Sequence, residues 1–202
     1  LSSSKKILIS GFEPFGGANS NSSQLVVDAI AKEDLFGVEL FTVILPVEFD
    51  KAAKVLLSKV KEANPEIIIC FGQAEGRKSI TPEKIAINLD STRITDNAGD
   101  SRVDKIIIEG GADGYFSTLP IERMVEAVRA SGLESEISLS AGAFLCNHIF
   151  YHLQHQLIGQ GKESGFVHLP LVNEQSSQFP NQPSWALADL TQGVRALILS
   201  VL

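Results

Sequence analysis

The 202-residue chain is 44% hydrophobic and 20% charged, ordinary proportions for a folded unit with a sizeable buried core. Its 17 basic and 24 acidic residues leave a net charge of −7 with no Lys/Arg-rich run, which argues against general binding to nucleic acid or an anionic membrane. No apolar stretch approaches the roughly 20 residues that span a bilayer, and Leu1–Ser10 is too briefly apolar for a signal peptide.

The chain starts at Leu1 rather than Met, so residues 1–5 are expected to lie outside the folded part of a single domain spanning 1–202. Lys6–Ser10 reads as a short strand running into glycine-rich sequence, and Gln24–Ala31 as a helix with Leu25, Val26 and Ala29 on one side. Val38–Leu45 is rich in β-branched and aromatic residues and reads as strand. Asp50–Ala63 carries apolar residues at helical spacing and is stopped by Pro65. Ile67–Phe71 is a continuous apolar run, the pattern of a strand buried on both faces. Ile85–Leu89 is another strand candidate, whereas Asp90–Gly114 shows no period that assigns it. Pro120 suits the first residue of a helix to about Ala130, with Gly132 past its end. Glu136–Ser140 reads as strand, Phe144–Leu157 as helix and Gly165–Leu169 as strand. Pro183-Ser184 then opens a last helix with Ser184 as N-cap. Alternating strands and helices predict an α/β fold, a three-layer α/β/α sandwich around a largely parallel, twisted open sheet.

Ligands of such sheets bind beyond the carboxyl ends of the strands. Four of those ends are distinctive: G-F-E-P-F-G-G (Gly11–Gly17), G-Q-A-E-G-R (Gly72–Arg77) leading to Ile80–Asn88, A-G-A-F-L-C-N-H (Ala141–His148), and the strand holding His168. Cys146 falls in the first turn of its helix, where free N–H groups and the macrodipole favour a thiolate. It also shares a stripe with Ile149, Phe150 and Leu153, and a free cysteine is often only a small core residue. Cys70, inside an apolar run, is read as core. His168 suits a general base, although a strand histidine is commonly structural; from spacing alone, Glu83 reads as a solvent-facing partner of Lys84. His148, His152 and His155 share a helix; the first two stand at metal-compatible i, i+4 spacing, but no glutamate completes the pattern, and a solvated face is expected. Two cysteines without a disulfide framework suggest a reducing compartment, the cytoplasm.

At these segments the chain resembles the pyroglutamyl peptidase I (pyrrolidone-carboxylate peptidase) family. The resemblance is carried by G-F-E-P-F-G-G, by G-Q-A-E-G-R-K-S-I-T-P-E-K-I-A-I-N, by D-S-T-R-I-T-D-N-A-G, by Y-F-S-T-L-P-I, by S-A-G-A-F-L-C-N-H-I-F-Y and by G-F-V-H-L-P, in family order from about Ile7 to the final helix. It implies a cysteine peptidase without cofactor or metal, acting on small peptides with an N-terminal pyroglutamate. Cys146 would be the nucleophile, His168 the base and Glu83 its orienting carboxylate. Arg93 would assist, Phe12 and Phe15 would wall the ring pocket, and Gln73 would offer main-chain contacts. A homo-oligomer, dimer or tetramer, is also implied. The chain departs from the usual family pattern at Asn21-Ser22-Ser23 (commonly Asn-Pro-Ser), at Glu75 (commonly Gly) and over Leu171–Gln175, which bears on the substrate loop and its affinity. Three competing readings are a non-catalytic pyroglutamyl-peptide binder, a metal-dependent hydrolase using the helix histidines, and a nucleoside phosphorylase-like enzyme, which would need a cationic phosphate site beyond Arg77 and Arg93.

Overall fold

In the computed structural model, which describes residues 4–202, strands and helices alternate along most of the chain. They are β1 (Lys5–Phe12), α1 (Ser22–Ile30), β2 (Val38–Leu45), α2 (Phe49–Ala63), β3 (Ile67–Gln73), β4 (Thr81–Pro82), β5 (Ile85–Ile87), β6 (Gly114–Phe116), α3 (Ile121–Ala130), α4 (Leu145–Leu157), β7 (Glu163–Leu169), β8 (Leu171–Val172), β9 (Ser184–Trp185) and α5 (Leu187–Leu199). A single 3₁₀ turn, Asn173–Gln175, precedes β9.

The central sheet runs β2-β1-β3-β7-β4, parallel except for β4, which pairs antiparallel with β7. Side chains alternate across it. Ile67, Ile69 and Phe71 of β3 pack with α1, α3 and α5 on one face, whereas Ile68 and Cys70 pack with α2 and α4 on the other. These are the three layers that the sequence pattern predicts. β3 lies at the centre of the sheet and is buried along its whole length, which is why it reads as an unbroken apolar run.

Several local expectations are corrected. Lys5 opens β1, so the strand begins inside the expected leader; residues 1–3 lie outside the described residues. Ile85–Leu89 does not join the main sheet: Ile85–Ile87 pairs with β6 as a separate two-stranded ribbon. Glu136–Ser140 forms no ladder strand. Its segment meets Ile80 at Ser135 and Glu83 at Ser138 in one parallel register, but Pro82 has no N–H to give the bond between them, and the pairing stays as two isolated bridges. Pro120 is the N-cap of α3 rather than its first residue. Ser184 caps nothing; it pairs with Leu171 in the β8–β9 ribbon, and α5 starts at Leu187 behind Ala186. Helix α2 ends at Ala63 as expected, with Asn64 as its C-cap in the left-handed region (φ 44°) just before Pro65.

Candidate active site

β7 carries His168 one residue from its carboxyl end, with Gly72 of β3 as its parallel partner. On the other side, Thr81 of β4 faces His168, and the Glu83 N–H donates to the Phe166 carbonyl at 2.9 Å. Glu83 therefore stands diagonally across from His168, a position from which side chains reach each other in an antiparallel pair. His168 Nδ1 lies 2.7 Å from Glu83 Oε1, and Arg77 Nη2 lies 2.9 Å from the same oxygen. Arg77 also donates to Thr81 Oγ1 at 2.6 Å and to the Ser140 carbonyl at 3.1 Å, which fixes its guanidinium beside the pair.

Glu83 is fully buried, not solvent-facing; the surface partner of Lys84 is Glu122. Burial alone would raise the Glu83 carboxyl. The hydrogen bond and charge of His168, helped by Arg77, outweigh it, and the group lies below the ordinary glutamate value. Burial pulls His168 below the ordinary histidine value, against the opposing pull of Glu83, so the imidazole is neutral at neutral pH. With Glu83 as an ionised acceptor, the ring proton belongs on Nδ1, and Nε2 is left as the base.

Cys146 enters from α4. A Cβ added at Gly72 would stand 2.9 Å from Cys146 Sγ and 2.7 Å from Phe166 Cζ, so the sulfur occupies the space that the missing side chain leaves. Gly72 and His168 are register partners, so the backbone beneath the sulfur lies about one strand spacing, ~4.8 Å, from the backbone that carries the imidazole. Cys146 remains partly exposed, unlike Cys70, which is wholly buried. Burial, then the nearby Glu83 charge, pushes the Cys146 thiol up to about 12. This opposes the stabilisation of a thiolate that the helix terminus offers. Phe144, the N-cap of α4, makes no side-chain cap bond, and the first helical backbone bond is donated by His148, so the preceding N–H groups have no intrahelical acceptor.

Beside the sulfur is a small cavity of about 60 Å³, lined by Phe12, Phe15, Val47, Gln73, Phe144 and Cys146 among others. It is far smaller than the roughly 300–1,000 Å³ of common ligand pockets and takes only a small group. Gly16 and Gly17, both at positive φ, turn the loop that brings Phe15 back over this pocket, against Phe144 at 6.2 Å between ring centroids. The structure thus brings together Glu83, Cys146, His168, Phe12, Phe15 and Gln73. Arg93 is exposed and makes no hydrogen bond or ion pair among the described residues; its loop is tied to the start of α4 by the Ser91 N–H on the Ala143 carbonyl. Arg77, read from sequence only as an isolated cation, is the arginine beside the Glu83–His168 pair. No spacing rule links it to a glutamate six residues on.

The helix histidines do not form a solvated face. His148 is buried, its Nδ1 2.9 Å from Asp90 Oδ2, and its ring lies edge-on to that of His152 with centroids 4.6 Å apart. Burial, then the His148 charge, lowers His152 to about 4. Among the described residues, no three His, Cys, Asp or Glu side chains gather as a metal site requires, and no helix is long and apolar enough to cross a membrane.

A model of the pyroglutamyl peptidase family matches residues 5–202. Curated relatives include the pyrrolidone-carboxylate peptidases of Bacillus cereus (strain B4264), 42% identical with 96% of this chain and 91% of the relative covered, and of Vibrio vulnificus (strain YJ016), 43% identical with 98% and 93% covered. Among solved structures, the pyroglutamyl peptidase I of Bacillus amyloliquefaciens superposes with a TM-score of 0.94 at 37% identity, covering 98% of this chain and 95% of that one.

Proposed function

The chain belongs to the pyroglutamyl peptidase family, and from that membership we propose that it hydrolyses the bond after an N-terminal pyroglutamyl residue through a thioester on Cys146. The observation that carries this reading is the placement of the Cys146 sulfur over Gly72, beside the Glu83–His168 pair and at the mouth of a small aromatic pocket. A pyroglutamyl ring is a small, flat, uncharged lactam. It suits apolar walls with a few hydrogen-bonding groups rather than a salt bridge.

The resting Cys146–His168 pair is thiol and imidazole, so the thiol proton passes to His168 Nε2 as sulfur attacks the pyroglutamyl carbonyl. Glu83, kept ionised beside Arg77, holds the ring and stabilises the imidazolium. The oxyanion is met by the unpaired N–H groups at the start of α4, Cys146 among them. The imidazolium then protonates the departing amine. Water, deprotonated by the same nitrogen, releases pyroglutamate and restores the thiol. A reducing cytoplasmic setting suits two free cysteines, one of which must stay a thiol to work.

Release of amine from a pyroglutamyl reporter amide tests the proposal. Turnover that iodoacetamide abolishes, and a Cys146→Ala variant reduced by at least ~10³-fold, are expected from loss of a covalent nucleophile. Undiminished turnover in that variant removes the nucleophile from Cys146.

A further inference from the structure

One oxygen of the Glu83 carboxylate is left over. His168 Nδ1 and Arg77 Nη2 both approach Oε1, at 2.7 and 2.9 Å, whereas Oε2 is buried and accepts from no group among the described residues. A buried carboxylate oxygen without a donor is costly, so a donor is expected close by.

The flank away from β7 offers one. Ser138 donates its N–H to the Pro82 carbonyl at 2.9 Å and accepts from the Lys84 N–H at 2.7 Å, which makes it the parallel bridge partner of Glu83. Bridge partners in neighbouring extended segments project to the same face, with their backbones ~4.8 Å apart. Glu83 thus has His168 on one side and Ser138 on the other. The Ser138 hydroxyl lies 3.2 Å from the Ser140 carbonyl and 3.3 Å from the Ser140 N–H, both long contacts. That carbonyl already has a donor in Arg77 Nη2 at 3.1 Å. The Ser140 N–H needs only a lone pair of the hydroxyl, and a hydroxyl proton rotates to suit its surroundings, so it can turn to Glu83 without opening the turn. The hydroxyl also acts on the Glu83 carboxyl in the same direction as His168 and Arg77, toward a value below the ordinary one.

We propose that Ser138 is a positioning residue whose hydroxyl donates to Glu83 Oε2 and so keeps Oε1 turned to His168 while the imidazolium forms. This role rests on the peptidase reading for its reaction and extends it to the segment between α3 and α4. With a donor on each oxygen, the carboxylate cannot rotate to exchange one for the other. A neutral donor also has an advantage over a second cation. Arg77 already opposes a positive charge on His168, and a hydroxyl fixes the carboxylate without adding to that opposition. The charged and titratable groups that meet at Glu83 are His168 from β7, Arg77 from the loop after β3 and Cys146 from α4.

The test compares Ser138→Thr with Ser138→Val, which share a shape and differ by one hydroxyl. Two readouts are taken: the pH profile of kcat/KM on a pyroglutamyl reporter amide, and the NMR titration of the His168 ring, which needs no turnover. Without the hydroxyl, His168 and Arg77 still hold Oε1, but the carboxylate keeps more of its charge and grips the imidazolium more strongly. The acid limb of kcat/KM and the His168 titration are therefore both expected to lie about one pH unit higher in Ser138→Val than in Ser138→Thr, as for loss of one charge-assisted hydrogen bond. On the plateau above that limb, kcat is expected to fall about three- to tenfold with KM within about twofold. Ser138→Thr is expected to match the natural chain in both readouts. If Ser138 only shapes the turn before α4, Ser138→Val loses kcat evenly across pH; if water meets Oε2 instead, it loses none. In either case the limb and the titration stay where they are, and the inference is overturned. A limb that moves down is equally fatal. If Ser138→Val does not fold, Ser138→Ala is read against the natural chain by the same criteria. A natural chain that fails to turn over the reporter overturns the peptidase reading, and the His168 titration still decides whether Ser138 holds Glu83.

Discussion

At Cys146, position and environment pull in opposite directions, and the environment wins. A first-turn cysteine gains from the helix terminus at most about 2 kcal/mol, whereas the burial and the neighbouring Glu83 charge push the thiol up to about 12. With His168 held below its ordinary value by burial, the resting pair is thiol and imidazole rather than thiolate and imidazolium. Alkylation of Cys146 by iodoacetamide in the free protein is accordingly expected to accelerate about tenfold per pH unit from pH 7 to pH 10, following the thiolate fraction. A rate that levels off below pH 8 would show a preformed ion pair and sink this reading. Cys70, also raised to about 12 but sealed in β3, is expected to react only when the protein unfolds. That Cys146, His168 and Glu83 gather at one edge of the sheet was legible only through long motifs; their protonation was not legible at all, because it depends on Gly72, Arg77 and Glu83 converging from separate segments. Glu83 beside Lys84 looks like an ordinary surface pair until the chain folds, and β4, two residues long, is too short to show a period that would reveal which face is buried.

Among the elements, the stretch from Asn88 to Ile108 is the one with the weakest sequence signal and a large structural role. It has no repeating pattern because it is held by side chains rather than by a ladder. Asp96 Oδ2 accepts from the Phe49 N–H at 3.0 Å, capping α2 where its own N-cap, Glu48, makes no side-chain bond. Asn97 donates to the Val47 and Pro14 carbonyls and to Glu13 Oε1, tying the strap to two segments that form the pocket wall. Its far end is fastened by Arg102, which bonds Asp50, Asp90 and Asp100 at 3.0 Å each and lies 4.3 Å over the Phe49 ring. Asp90 is fully buried and shared with His148, so Arg102→Met leaves a buried carboxylate short of its cation. The expected loss is about 3 kcal/mol in urea unfolding; the exposed Asp50 and Asp100 contacts contribute little of it. A loss under ~0.5 kcal/mol would mean that the strap is held by its backbone bonds alone. By contrast β1, β2, β3, β7 and the helices are readable from hydrophobic period, because each buries a continuous face in one of the two cores. The misread elements share a cause: Glu136–Ser140 and Ser184 belong to short pairings with distant partners, and local pattern carries no record of a distant partner.

For the whole molecule, the buried titratable groups set a window of stability with two limbs of different origin. His152 has its folded value lowered from 6.5 to about 4, and His168 is lowered in the same direction. A base with a depressed folded value is protonated more readily in the unfolded chain, so its contribution is complete above 6.5 and is lost as pH falls toward the folded value. Glu83, lowered from 4.5, adds a further loss below that pH, when its pairing with His168 and Arg77 is protonated away. On the alkaline side the sense reverses. Cys70 and Cys146 rise from 9.0 to about 12, so the unfolded chain loses their protons first, and stability declines as pH climbs from 9 toward 12. The urea midpoint is therefore expected to be flat between about pH 6.5 and 9 and to fall on both sides. Substitution identifies each limb: His152→Gln should flatten the acid limb between pH 6.5 and 4, because the unfolded chain then has one proton fewer to gain. Cys70→Ala, at the cost of a small cavity that lowers the midpoint at every pH, should flatten the alkaline limb. A midpoint that keeps rising from pH 6 to pH 10 would contradict the account, since it would require groups other than these five to govern the balance between folded and unfolded protein.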